Sequence, residues 1–178
     1  MLSIAAGKTI ASFARHFGEE TAIIRAMPNT PAAIGRGITA LVPNAHVTKP
    51  QLALAHALLG ATGEVVDVED ENQIDLVTAV SGSGPAYVFW LTECLANAGV
   101  KAGLSEELAT RLARATVSGS GELMRQSGID AETLRKNVTS PGGTTFAALQ
   151  VLMAEDGMKP LFEKAIAAAA HRAKELAS

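Results

Sequence analysis

The chain has 178 residues, enough to bury a sizeable core, and its 15 basic against 18 acidic side chains leave a net charge of −3, so nothing in it recruits nucleic acid electrostatically. A lone cysteine, Cys94, rules out an internal disulfide, and the four scattered histidines offer no metal-ligand spacing, so no metal is expected. No apolar run approaches the length of a bilayer span, and a soluble, cytoplasmic protein without membrane contact is expected.

In chain order, Leu2-Ser3-Ile4 is a short apolar run that reaches Ala5-Ala6-Gly7. Ile10, Phe13, Ala14 and Phe17 repeat at helical spacing, with Gly18 as the C-terminal cap. Ala22-Ile23-Ile24-Arg25 is rich in strand formers, Met27-Pro28-Asn29-Thr30-Pro31 predicts a rigid turn, and Ile38 to Val42 predicts a strand. Thr48 and Gln51 form a capping box, with Pro50 in the first turn of a helix whose apolar positions are Leu52, Leu54, Ala55, Leu58 and Leu59. Val65-Val66 is a further strand. The order strand, helix, strand, strand, helix, strand predicts an α/β piece to about Asp67, thin enough to belong to a larger sheet.

The pattern changes at Glu69-Asp70-Glu71, a charge run that solvent would satisfy at a domain boundary. Glu71 gains a further role only if a basic group lies beside it. No strand is expected beyond this point. Ile74, Leu76, Val77 and Val80 predict a short helix, broken by Ser81-Gly82-Ser83-Gly84, with Pro85 inside the start of the next one. From Tyr87 to Ala98 that next helix is apolar nearly all round, which predicts burial on every side and hence a partner chain. Ser105 caps a helix containing Gly119 and Gly121, small residues that suit close helix crossings; Gly128 ends it, and Asp130 caps another to about Lys136. Two helices close the chain.

Between these last helices lies Asn137-Val138-Thr139-Ser140-Pro141-Gly142-Gly143-Thr144-Thr145. A proline and two glycines break the helix, and Thr144 and Thr145 open a new apolar-periodic run at capping positions. Free amides, the positive end of a helix dipole and two hydroxyls suit a small anion; the plain alternative is a capped helix after a loop. Gly35-Arg36-Gly37-Ile38-Thr39-Ala40 fits the dinucleotide fingerprint only as a string, because a strand and not a helix follows it. It reads as a turn.

Four stretches together resemble one family, pyrroline-5-carboxylate reductase, the last enzyme of proline biosynthesis. They are Ser3-Ile4-Ala5-Ala6-Gly7, Arg25-Ala26-Met27-Pro28-Asn29-Thr30-Pro31, Ser81-Gly82-Ser83-Gly84-Pro85-Ala86-Tyr87, and the stretch from Asn137 to Thr145. The family begins with a Rossmann strand, a Gly-rich turn and a helix that hold the NADPH pyrophosphate, and that part has no counterpart here. The chain is similar to the C-terminal two-thirds of the enzyme.

The resemblance implies the C-terminal part of a Rossmann-type dinucleotide-binding domain over residues 1–68, followed by an all-α helical-bundle domain for dimerisation and substrate binding over residues 69–178. It implies NADPH- or NADH-dependent reduction of 1-pyrroline-5-carboxylate to L-proline, expected only with the missing N-terminal segment. The alternative is a catalytically inactive helical dimerisation module. A third reading, another imine or β-hydroxyacid reductase, requires a lysine on the Tyr87–Ala98 helix, which has none. By the same resemblance Gly143, Thr144 and Thr145 hold the substrate carboxylate, and Thr78 is the catalytic hydroxyl that hydrogen-bonds the ring nitrogen. Glu71 lies at the same site, and Ala5, Ala6, Gly7 and Asn137 face the nicotinamide. The implied assembly is a homodimer with interlocked helices, or a larger assembly of such dimers, each site taking residues from both subunits.

Overall fold

A computed structural model of the chain describes residues 1–177. Its first 67 residues build a four-stranded sheet of β1 (Leu2–Ser3), β2 (Ile24–Met27), β3 (Gly37–Pro43) and β4 (Gly63–Asp67), in that spatial order. β1 and β2 are parallel, as are β3 and β4; β2 and β3 are antiparallel. Parallel neighbours need a crossover that returns the chain to the same end of the sheet. Here the crossovers are α1 (Ile10–Phe17) and α2 (Lys49–Gly60). The Thr48–Gln51 capping box starts α2, and Gly18 ends α1 at a φ of 99°. The predicted rigid turn is a 3-10 turn over Thr30–Ile34, tied to β3 where the Asn29 Oδ1 accepts from the Ile38 amide at 3.0 Å.

Strand alternation divides the core between the two faces of the sheet. On one, Ile24, Ala26 and Leu41 pack against Ala55 of α2. On the other, Ala40 and Val42 pack against Ile74 of α3 (Gln73–Val77), with Ile10 of α1 and Met27 alongside. The register fits: Ala26 stands opposite Leu41 on the first face, and Arg25 opposite Val42 on the second.

The interruption expected at Ser81–Gly84 takes the form of a π-turn and a bend at Ser83, and it begins at Thr78. α3 passes into a π-turn over Thr78–Gly82, and α4 (Gly84–Lys101) follows. Thr78 and Ser83 both keep right-handed helical dihedrals, and the Ser83 amide donates to the Thr78 carbonyl at 2.8 Å. The widened turn frees carbonyls. The Thr78 and Ser81 hydroxyls donate to the Ile74 and Val77 carbonyls. Gly82 has a packing reason as well, since a Cβ there would lie 2.8 Å from the Met27 Cε.

The remaining helices are α5 (Glu106–Ser127), α6 (Ala131–Asn137), α7 (Thr144–Leu152) and α8 (Met158–Ala177). Ser105 and Asp130 cap α5 and α6 by accepting from Leu108 and Thr133, and Gly128 closes α5 in the left-handed conformation. By packing, the chain forms two compact units: Met1–Pro85 together with residues from Lys164 onward, and Ala86–Glu163. No helix among the described residues is long and apolar enough to cross a membrane.

Within Ala86–Glu163, α4 and α5 approach closely where Gly99 faces Ala109. Among the described residues of this unit the only fully buried hydrophobics are Ala109 and Ala113. Gly119 and Gly121 face open space, so the close crossings expected at them are not made within the chain. The helix expected to be buried on every side is largely exposed in the single chain: Phe89 is 61% and Trp90 63% accessible, and Val88, Leu91 and Leu95 are also exposed.

The sheet core yields a direct stability expectation. Leu41 is fully buried, so Leu41→Ala destabilises by about 2–5 kcal/mol. Ile34→Ala, on the exposed 3-10 turn, stays within about 0.5 kcal/mol of the parent. Urea denaturation measures both.

Candidate functional site

Because β1 and β2 are parallel, their carboxyl ends lie at one end of the sheet, where ligands of α/β folds sit. From β1 the chain runs into Ala5, Ala6 and Gly7. Gly7 has a φ of +68°, and a Cβ on it would lie 3.0 Å from the Leu176 carbonyl oxygen, so the position requires glycine. Ala5 and Ala6 are exposed and carry nothing beyond Cβ, so a flat ring can approach the backbone there. The chain holds no Gly-x-Gly-x-x-Gly turn between a strand and a helix that would seat a pyrophosphate. The small residues here leave room for a flat ring, and no phosphate-binding turn accompanies them.

Beside this turn stands a buried ionic cluster. Arg25, only 3% exposed, projects from the α3 face of β2. Its guanidinium donates to Glu71 Oε1 at 2.8 Å and lies 3.6 Å from Asp75 Oδ1. The same Glu71 oxygen accepts from the Ile10 amide at 2.8 Å, satisfying one orphan donor at the start of α1. Glu71 is thus not a solvated member of a charge run, whereas Glu69 and Asp70 are exposed. Sequence reasoning missed Arg25 and Asp75. The available signal was a charge within the apolar strand Ile23-Ile24-Arg25-Ala26, since a buried charge demands a partner.

Thr78 follows Asp75 by three residues at the head of the π-turn. Its amide donates to the Ile74 and Asp75 carbonyls, and its hydroxyl proton is committed to the Ile74 carbonyl at 2.7 Å. The Thr78 oxygen is left as an acceptor. The structure thus brings Ala5, Ala6, Gly7, Glu71 and Thr78 into one compact unit, with Glu71 bonded directly to the start of α1.

Asn137, Gly143, Thr144 and Thr145 belong to the other unit. Asn137 is the last residue of α6, and Gly142 turns the chain at a φ of +69°. The Gly143 amide donates to the Ser140 carbonyl at 3.1 Å, and a Cβ on Gly143 would lie 2.5 Å from the Ser140 Oγ. Gly143 itself is the N-cap of α7, with no side-chain cap bond. Thr144 and Thr145 therefore occupy the first two helical positions, and neither hydroxyl is the cap expected of it. The glycine frees them from that duty: Thr145 is half-buried and Thr144 exposed. Among the described residues no group of three or more His, Cys, Asp or Glu could hold a metal ion.

The family described as pyrroline-5-carboxylate reductase dimerisation matches residues 71–176. Pyrroline-5-carboxylate reductases of Pseudomonas aeruginosa and a Synechocystis strain are 45% and 46% identical to this chain, each over 99% of it. The chain spans 64% and 65% of their respective lengths. The solved structure of a Coxiella burnetii pyrroline-5-carboxylate reductase is similar with a TM-score of 0.94 and 41% identity, over 99% of this chain and 65% of that one. A Plasmodium falciparum pyrroline carboxylate reductase solved with NADP bound gives a TM-score of 0.87 and 34% identity, over 99% and 67%.

The helix leading into the glycine turn carries its own pH dependence. The Thr133 amide, donating to the Asp130 carboxylate at 2.9 Å, holds that carboxyl below its ordinary 3.8. A depressed folded-state value means the cap's contribution is complete above 3.8 and is lost as the pH falls through the lower value. A carboxyl-carbon NMR titration of Asp130 therefore has its midpoint below 3.8, and Asp130→Asn removes this part of the acid sensitivity of α6.

Proposed function

This chain belongs to the pyrroline-5-carboxylate reductase family, and we propose that it is the substrate-binding and dimerising portion of an enzyme that reduces 1-pyrroline-5-carboxylate to L-proline. Its sheet and crossover helices are part of a Rossmann-type domain, and the helices after them form the dimerisation region. The division of labour proposed is nucleotide binding over residues 1–68 and dimerisation with substrate binding from residue 69 onward. The observation that carries the reading is the start of α7. A glycine N-cap with no side-chain partner leaves the first amides and the Thr144 and Thr145 hydroxyls available at the positive end of a helix.

The substrate is a cyclic imine with a carboxylate. Gly143, Thr144 and Thr145 hold that carboxylate. Thr78, whose own proton is already donated, accepts the N–H of the protonated ring nitrogen and orients the imine carbon. One guanidinium against two carboxylates leaves the Arg25, Glu71 and Asp75 cluster with a formal charge of 1 − 2 = −1, which favours the protonated imine. A bound NADPH or NADH supplies the hydride. Ala5, Ala6, Gly7 and Asn137 border its nicotinamide. The helical faces exposed in one chain are covered by a second copy in an interlocked homodimer, and each site takes residues from both subunits.

The alternative, a dimerisation module without catalysis, is favoured for the 178-residue polypeptide by its lack of a dinucleotide-binding glycine fingerprint. That polypeptide is expected to be a dimer or larger by light scattering and to show no micromolar NADPH binding by calorimetry. A folded monomer at micromolar concentration overturns the proposed interface; micromolar NADPH affinity overturns the inactive-module reading.

In a catalytically complete enzyme carrying this sequence, Thr145→Ala weakens substrate binding and proline inhibition by about 1.5–3 kcal/mol, the value of a hydrogen bond to a charged group. NADPH binding stays nearly unchanged. The melting temperature also holds, because Gly143 and not Thr145 is the cap. Thr144→Ala is the comparison. An unaltered KM for pyrroline-5-carboxylate and unaltered proline inhibition in Thr145→Ala would overturn the anion-site assignment.

A further inference from the structure

We propose that Arg25 is a positioning residue that fixes the Thr78 hydroxyl and the start of α1 in one rigid frame; the catalytic half of this rests on the Thr78 assignment above. Two pieces of chain far apart in sequence, the start of α1 and the α3 segment with its π-turn, converge on β2. The segment carrying α3 is held at two points, at Glu71 two residues before the helix, 2.8 Å from the guanidinium, and at Asp75 within it, 3.6 Å away. The start of α1 is held through the same Glu71 oxygen, which accepts from the Ile10 amide. The π-turn rests on the same face of the strand, two residues on, where Met27 fills the space that a Cβ on Gly82 would occupy.

The link to Thr78 is short and covalent in part. The Thr78 amide donates to the Asp75 carbonyl, and its hydroxyl donates to the Ile74 carbonyl. Any shift of Asp75 relative to β2 moves the threonine oxygen with it. The Ser83 amide donates to the Thr78 carbonyl at 2.8 Å, so a shift of Thr78 is passed on to the start of α4 through the π-turn. The planar guanidinium reaches both carboxylates from one buried position, and a lysine ammonium on a flexible stem cannot keep both.

Arg25→Lys is the variant of choice, since it keeps the buried positive charge and the fold. In the complete enzyme it raises the amide exchange rates of Ile10 and Ser83 about tenfold and leaves those of Ala109 and Leu134, in the other compact unit, unchanged. It lowers kcat on the order of tenfold, as misplacement of a reacting group does, with the KM for NADPH within about twofold. Thr78→Val lowers kcat to a floor, and adding Arg25→Lys lowers it no further, because Arg25 acts through Thr78. Unchanged exchange at Ile10 and Ser83 in folded Arg25→Lys overturns the positioning role. Additive losses in the double variant overturn the route through Thr78. Full kcat in Thr78→Val overturns the Thr78 assignment itself and the catalytic half of this proposal, while the exchange rates still decide whether Arg25 holds the frame.

Discussion

A guanidinium buried in the middle of a sheet must find its counter-charges inside the protein, and the N-terminal unit is arranged around that requirement. Arg25 lies on β2 among Ile24, Ala26 and the apolar face of β3. Its two carboxylates come from the segment that enters the helices, 46 residues away in sequence for Glu71. The ion pairs and the packing of Ile74 on Ala40 and Val42 together hold α3 on the sheet. Removing Arg25 takes the counter-charge from the nearly buried Asp75, whereas the more exposed Glu71 keeps the Ile10 amide. The cluster thus specifies where α3 lies, and with it the turn that carries Thr78.

The second unit follows a different logic. Its helices are well started and well ended, by Ser105, Asp130 and Gly128, but caps alone do not stabilise a bundle. Apolar burial must do that, and within one chain it is nearly missing here. Exposed aromatic and aliphatic side chains on α4 are the apolar surface on which the proposed interface between copies rests.

Much of this was legible in sequence where the signal is local. The strand and helix order, the Thr48–Gln51 box, the glycine ends of α1 and α5 and the helical character after Glu69 all depend on residues a few positions apart. The failures share a cause. The composition of Ser81–Gly84 marks an interruption but not its form, a π-turn that starts at Thr78 and is closed by a bond five residues long. Thr144 and Thr145 looked like caps because hydroxyls precede an apolar run, yet the glycine before them takes that place. Arg25, Glu71 and Asp75 are separated along the chain, and only the register of β2 against β3, with α3 laid over it, brings them together.

The small buried set of the helical unit has a kinetic corollary. If Ala109 and Ala113 are all that one chain buries there, most of its hydrophobic free energy is released only when two chains meet. Consolidation of these helices is then a bimolecular event. Its rate scales with the square of chain concentration, whereas the sheet, with its own core on both faces, can form at a rate independent of it.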